Sequence, residues 1–236
     1  VNRWGSAAKQ RRTVSASTRW SVAALVVVMA LIVAIWPRES APVGPAPSSG
    51  AGGSAAPFPG EQADVPAQDF AAARQKAALA PCPAAGAAPG PNSALAGVKA
   101  VCLADGSTVD LGSATAGRPW VINIWAYWCG PCRQELPIFA DFARIAAGRV
   151  EVLTVQGKEG AQNPFLSLNL LIETGVRLPT VVDSDAAIAA ALGVPRVYPT
   201  TVLVGADGSV AAVLPQVFTS TEELIEVVNS RLGLDV

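Results

Sequence analysis

The sequence predicts an α/β domain in which helices cover both faces of one central sheet, and three observations point to it. From about Ala94 onward, apolar runs rich in β-branched residues recur at 98–103, 119–126, 150–155, 179–182 and 200–205. Segments with helical spacing lie between them. The resulting order of strand, helix, strand, helix, hairpin, helix suits a sheet buried on two sides.

Composition narrows the function before any motif is read. The chain has 236 residues, 51% hydrophobic and 15% charged, enough for one ordinary domain with appendages. A net charge of −1 gives no footing for nucleic acid or another polyanion. There is no histidine, which removes Cys-His and Ser-His-Asp catalysis and most zinc and haem ligation. Four cysteines remain as the main reactive groups.

Taken in order, residues 1–19 carry Arg3, Lys9, Arg11, Arg12 and Arg19 and no acid, and read as a cytoplasmic basic segment. Residues 20–36 are uncharged and bracketed by Trp20 and Trp36. At 1.5 Å per residue they span roughly 26 Å, at the short end for a transmembrane helix. A cleaved signal peptide has the same charge pattern, but Pro37-Arg38-Glu39 follows instead of a small-residue cleavage site. Either reading puts the rest of the chain outside the cytoplasm. Residues 37–68 form a linker in which Pro, Gly, Ser and Ala fill 23 of 32 positions, too few apolar side chains to offset ordering entropy. The folded domain is assigned to 69–236. It opens with a short helix over 69–80, capped by Asp69, followed by the loop "PCPAAGAAPGPN".

Further along, Leu136, Phe139, Ala143 and Ala146 mark one helix, and Leu166, Leu170 and Glu173 another. A shorter helix runs through "DAAIAAALG". Asp207-Gly208 signals a hairpin between two apolar runs. The last helix, over 220–232, aligns Leu224, Ile225, Val228 and Leu232 on one stripe.

The chemistry lies in "WCGPC", residues 128–132, where an apolar strand gives way to a helix. Proline in a first helical turn loses no hydrogen bond. This places Cys129 at the helix N-terminus, where free N–H groups and the dipole favour thiolate. Cys132 falls one turn further in, on the same face and more covered. An exposed attacking thiol with a sheltered resolving thiol is the arrangement thiol–disulfide exchange requires. A zinc site built with Cys82 and Cys102 would need spacings of 19 and 26 intervening residues, which match no common zinc module. No phosphate loop or dinucleotide fingerprint is present, so neither metal nor cofactor is expected.

"VINIWAYWCGPCRQELPIF" resembles the active-site segment of the thioredoxin superfamily, in particular its membrane-anchored, extracytoplasmic TlpA/ResA-like branch. "LGVPRVYPTTVLVGADGSV" resembles that branch's later segment, where a cis-proline faces the cysteines before a hairpin. The resemblance covers roughly residues 97–232. It implies a thioredoxin-like fold, a mixed sheet of four to five strands with flanking helices, and thiol–disulfide oxidoreductase activity. Carried over, Cys129 attacks, Cys132 resolves and Pro199 is the cis-proline. Trp128 and Tyr198 would then border the substrate, with Tyr198 offering backbone for strand addition; Trp125 packs the site.

The proton acceptor is less obvious. Asn123 stands where cytoplasmic thioredoxins keep a buried aspartate, and an amide takes no proton at physiological pH. The branch often carries a glutamate three residues after the second cysteine, and Glu135 holds that place. On a helix it shares a face with Cys132, which suits a proton acceptor. The plainer alternatives are a solvated first-turn acid for Glu135 and a satisfied core amide for Asn123.

Cys82 and Cys102 belong to no readable motif; in an oxidising compartment a structural disulfide is the economical pairing, and a second redox pair is the rival. The expected function is a membrane-anchored extracytoplasmic oxidoreductase. Gly-Pro between the cysteines favours reduction of protein disulfides, for which the resemblance suggests apocytochrome c and a thiol-carrying membrane electron donor. A disulfide-forming oxidant and a binding module without redox activity are the alternatives.

Overall fold

The computed structural model describes residues 65–236. The assignments of 1–19 and 20–36, and nearly all of the 37–68 linker, lie outside them. Among the described residues no helix is long and apolar enough to cross a membrane.

The strands are β1 (Lys99–Cys102), β2 (Thr108–Asp110), β3 (Trp120–Trp125), β4 (Glu151–Gln156), β5 (Thr180–Val182), β6 (Thr200–Val204) and β7 (Val210–Leu214). The helices are α1 (Ala67–Ala77), α2 (Leu111–Ala114), α3 (Gly130–Ala146), α4 (Lys158–Ala161), α5 (Pro164–Thr174), α6 (Ala187–Ala191) and α7 (Thr221–Leu232). One mixed sheet runs in the order β2-β1-β5-β4-β3-β6-β7. It has seven strands where four to five were expected. The β7 strand completes the predicted hairpin around Asp207-Gly208, whereas β2 is three residues long, too short to show alternation in sequence.

Alternation along β3 divides the core. Val121 and Trp125 join the apolar cluster containing α1, α3, α5 and α7. Trp120, Ile122 and Ile124 join the cluster on the other face, with α2 and α6. Leu136, Phe139 and Phe142 of α3 are wholly buried, and truncating any one would cost roughly 2–5 kcal/mol. Because α3 packs this firmly, its N-terminus is held at the C-terminal end of β3. Pro137 lies inside α3 and has no N–H to return to the preceding turn, a defect the packing outweighs.

Two local expectations are corrected. The first helix covers 67–77, and its N-cap is Pro66 without a side-chain bond, not Asp69, which lies in the first turn. On α5 the buried residues include Leu168, Leu170 and Leu171, while Leu166 is exposed; "FLSLNLLI" is apolar nearly all round, so spacing could not choose the face. The short α6 takes its cap from the buried Asp183, whose carboxylate accepts from the Ile188 and Ala189 amides, each at 3.0 Å.

Candidate active site

Cys129 and Cys132 are joined in a disulfide, with their Cα atoms 5.3 Å apart. Cys129 is the N-cap of α3, in extended conformation, and its Sγ accepts from the Cys132 amide at 3.2 Å. The dipole-facing position expected for the attacking sulfur is therefore occupied. The contrast in cover is smaller than expected: Cys129 is 5% exposed and Cys132 0%.

Trp128 is 54% exposed beside this pair. Its ring stands edge-on to Tyr198, centroids 5.7 Å apart, and its indole N–H donates to the Glu159 carbonyl at 3.3 Å. The Tyr198 hydroxyl donates to the Glu159 carboxylate, a bond that holds the Glu159 pKa below its ordinary value. Tyr198 itself is raised, first by burial and then by this bond. The Tyr198–Pro199 peptide is cis. Pro199 is buried, so the open rim consists of Trp128, part of Tyr198 and Val197. Gly157 sits directly under the phenol ring: a Cβ there would collide with Tyr198.

Glu135 is 0% exposed, which rules out the solvated-acid alternative. Oε1 accepts from Asn123 Nδ2 at 2.6 Å, and Oε2 accepts from the Phe218 amide at 3.0 Å. Burial pushes its carboxyl up to about 7, opposed by those two donors and reinforced by Glu223. An acid in this range, one helical turn from Cys132, can gain or lose a proton near neutral pH. Asn123 is not the fully satisfied amide of the plainer reading, because its Oδ1 has no partner.

Cys82 and Cys102 form the second disulfide, with Cα atoms 6.0 Å apart. Cys102 lies in the cluster on the opposite face of the sheet from Cys129 and Cys132. The bridge ties the segment following α1 to β1. Sequence reading missed Glu159, Gly157 and the Phe218 amide. The last lies 83 residues from Glu135, and no local signal announces it.

An N-capping cysteine disulfide-bonded within one helical turn, at the end of a strand whose neighbour in the mixed sheet begins just after a cis-proline, defines a thioredoxin-like dithiol site. The Redoxin family model matches residues 81–227, well over half of the chain, and the chain belongs to that family. Relatives include thiol-disulfide oxidoreductase ResA of Bacillus subtilis, 30% identical over 51% of this chain and 64% of its own length. Thiol:disulfide interchange protein CycY of Rhizobium leguminosarum is also 30% identical, over 52% of this chain and 66% of its own. The chain thus spans just under two thirds of these curated relatives. The structure of MTB DsbF in mixed oxidised and reduced forms aligns with a TM-score of 0.51 at 25% identity, covering 61% of this chain and 98% of that one. The expected superfamily is therefore borne out.

Proposed function

We propose that this chain is a membrane-anchored, extracytoplasmic protein thiol–disulfide oxidoreductase that reduces disulfides in protein substrates. The observation that carries the reading is the Cys129–Cys132 pair at the N-terminus of α3, above a buried carboxylic acid. In the reduced enzyme the Cys129 thiolate attacks one sulfur of a substrate disulfide, forming a mixed disulfide and releasing the other sulfur as a thiolate. Cys132 gives its proton to the Glu135 carboxylate and attacks Cys129 Sγ. The second substrate sulfur leaves, and the enzyme holds both oxidised cysteines. Two electrons have passed to the substrate, and a thiol-type membrane donor must return them before the next turnover.

Trp128 and Tyr198 receive the substrate, with Pro199 fixing the chain behind them. The reducing direction rests on Gly130-Pro131 between the cysteines, the pattern of reducing thioredoxins. The anchor rests on the apolar stretch 20–36 behind a basic segment. The names of ResA and CycY as oxidoreductase and interchange protein support the class. Apocytochrome c, whose paired cysteines must be reduced before haem attachment, is the substrate class we assign. Cys82–Cys102 serves as a structural clamp.

The test is insulin reduction with dithiothreitol, in wild type and Cys129→Ser, followed by trapping with Cys132→Ser in the native membrane. Catalysis that depends on Cys129, with oxidised proteins caught as mixed disulfides, is the expected result. A folded but inactive wild type overturns the enzyme reading, and exclusive capture of reduced substrates reverses the direction.

A further inference from the structure

Glu135 can serve as a proton acceptor only if the core tolerates it both charged and neutral. Its two bonds suit the charged form, since each oxygen faces a donor. Once protonated, the carboxyl becomes a donor and needs an acceptor. The Phe218 N–H cannot become one. The Asn123 amide can, by turning end over end so that its oxygen replaces its nitrogen, the two ends being nearly the same size. That turn sends Nδ2 to the place now held by Oδ1, where it needs an acceptor in turn.

Two observations bear on that place. Asn123 Oδ1 and Thr201 Oγ1 are both buried and both lack a hydrogen-bond partner. Asn123 and Thr201 are also direct partners across the antiparallel β3–β6 ladder. Alternation puts the two on one face, that of Val121, Trp125 and Leu203. Facing residues in such a pair hold their Cβ atoms roughly 4.5–5.5 Å apart. A threonine hydroxyl spans that gap after rotation about χ1, or through one water.

We propose that Thr201 is a positioning residue that lets the Asn123 amide reverse, and so accommodates Glu135 with or without its proton. With the carboxylate, Thr201 donates to Oδ1 while Nδ2 serves Glu135. With the acid, Glu135 donates to Oδ1 while Nδ2 donates to Thr201. A hydroxyl can do both because it is donor and acceptor at once, which a valine of the same shape is not. One proton moves, between Glu135 and its exchange partner, and no bond to carbon or sulfur changes. The neighbouring ionisable groups are Glu223 on α7 and, on α3 itself, Cys132 once reduced. The residues of β3, of β6 and of the 215–220 segment are uncharged.

This inference rests on the proton role proposed for Glu135, so the two are tested apart. In the full chain, the Glu135 carboxyl carbon and the Asn123 side-chain amide are followed by NMR from pH 5 to 9. The Asn123 signals should move with the Glu135 midpoint. Thr201→Val orphans Oδ1 beside the carboxylate and Nδ2 beside the acid; because a buried N–H tolerates the loss of its partner less than a carbonyl does, the midpoint should fall by about one pH unit, tenfold in proton affinity. Thr201→Ser should restore it, which excludes a folding defect as the cause. An unchanged midpoint in Thr201→Val, or Asn123 signals flat through the Glu135 titration, overturns the switch. The proton role is read separately, from the pH profile of thiol exchange in Glu135→Gln. If that profile matches wild type, the role falls while the NMR result still decides the switch.

Discussion

The Trp128 indole stands edge-on to the Tyr198 ring, their centroids 5.7 Å apart and their planes at 77°, and both side chains bond to Glu159. Two segments seventy residues apart in sequence are thereby fixed to one another next to Cys129.

Trp128→Ala removes an exposed ring and an aromatic pair worth roughly 0.5–1.5 kcal/mol. Turnover of protein disulfides should fall about three- to tenfold in kcat/KM, since 1.4 kcal/mol is a factor of ten. Thermal stability and the reduction of a small disulfide should barely change. Equal losses on large and small substrates would mean that Trp128 tunes the sulfurs rather than receives the substrate.

Gly157→Ala tests the same rim from below. The added methyl would strike the Tyr198 ring, displacing it from both Trp128 and Glu159. The variant should fold and show the kinetic defect of Trp128→Ala. A wild-type rate on proteins would show that the placement of Tyr198 does not matter.

Once reduced, Cys129 should be alkylated at least about tenfold faster than Cys132 at neutral pH. The cause is its place at the N-cap of α3, where helix-terminal N–H groups stabilise a thiolate, while Cys132 is wholly covered. Peptide mapping after brief iodoacetamide treatment reads the ratio. Equal labelling would remove the assignment of attacking and resolving roles.

Cys82–Cys102 should stay closed at potentials that open Cys129–Cys132. Cys102 is buried in the opposite core layer, and structural disulfides commonly lie below about −300 mV. Closing a 20-residue separation stabilises the fold by roughly 3 kcal/mol in the loop-entropy account. Graded reduction with mass mapping checks this, and simultaneous opening would point to a relay between the pairs.

Glu135 should make stability depend on pH in a direction opposite to that of a paired surface carboxylate. Its folded pKa, about 7, lies above the ordinary 4.5, so between those values the folded chain holds a proton that the unfolded chain releases. The stability is fully present below about pH 4.5 and is lost as pH rises through 7, a decline of about 3 kcal/mol. Urea unfolding from pH 4.5 to 8 measures it. Glu135→Gln should flatten the slope, and a slope of the same size in the variant would assign it to another group.

Much of this site was legible because thiol chemistry has a local signature. Cys129, Gly130, Pro131 and Cys132 specify a helix start and two thiols one turn apart, all within four residues. The later "YPTT" segment announced Pro199 through its resemblance, and the cysteine count allowed for Cys82–Cys102. The expected α/β class also held, since periodicity survives in long strands such as β3 and β4. Elements of three or four residues such as β2 and α2 carry too little pattern to be read from spacing, and an all-apolar helix such as α5 hides its buried face.

By itself, the sequence determined the dithiol, the helix that carries it and the absence of histidine, because each depends on residue identity and neighbours along the chain. Whether Glu135 was a surface acid or a buried one depended on what covered it. That cover comes from the segment before α7, through the Phe218 amide, and from β3, through Asn123. The pairing of Asn123 with Thr201 likewise exists only once β6 docks beside β3 in register. Only the tertiary structure decided these things, because a carboxyl's charge is governed by solvent and donors within a few ångströms, and folding alone brings those groups together.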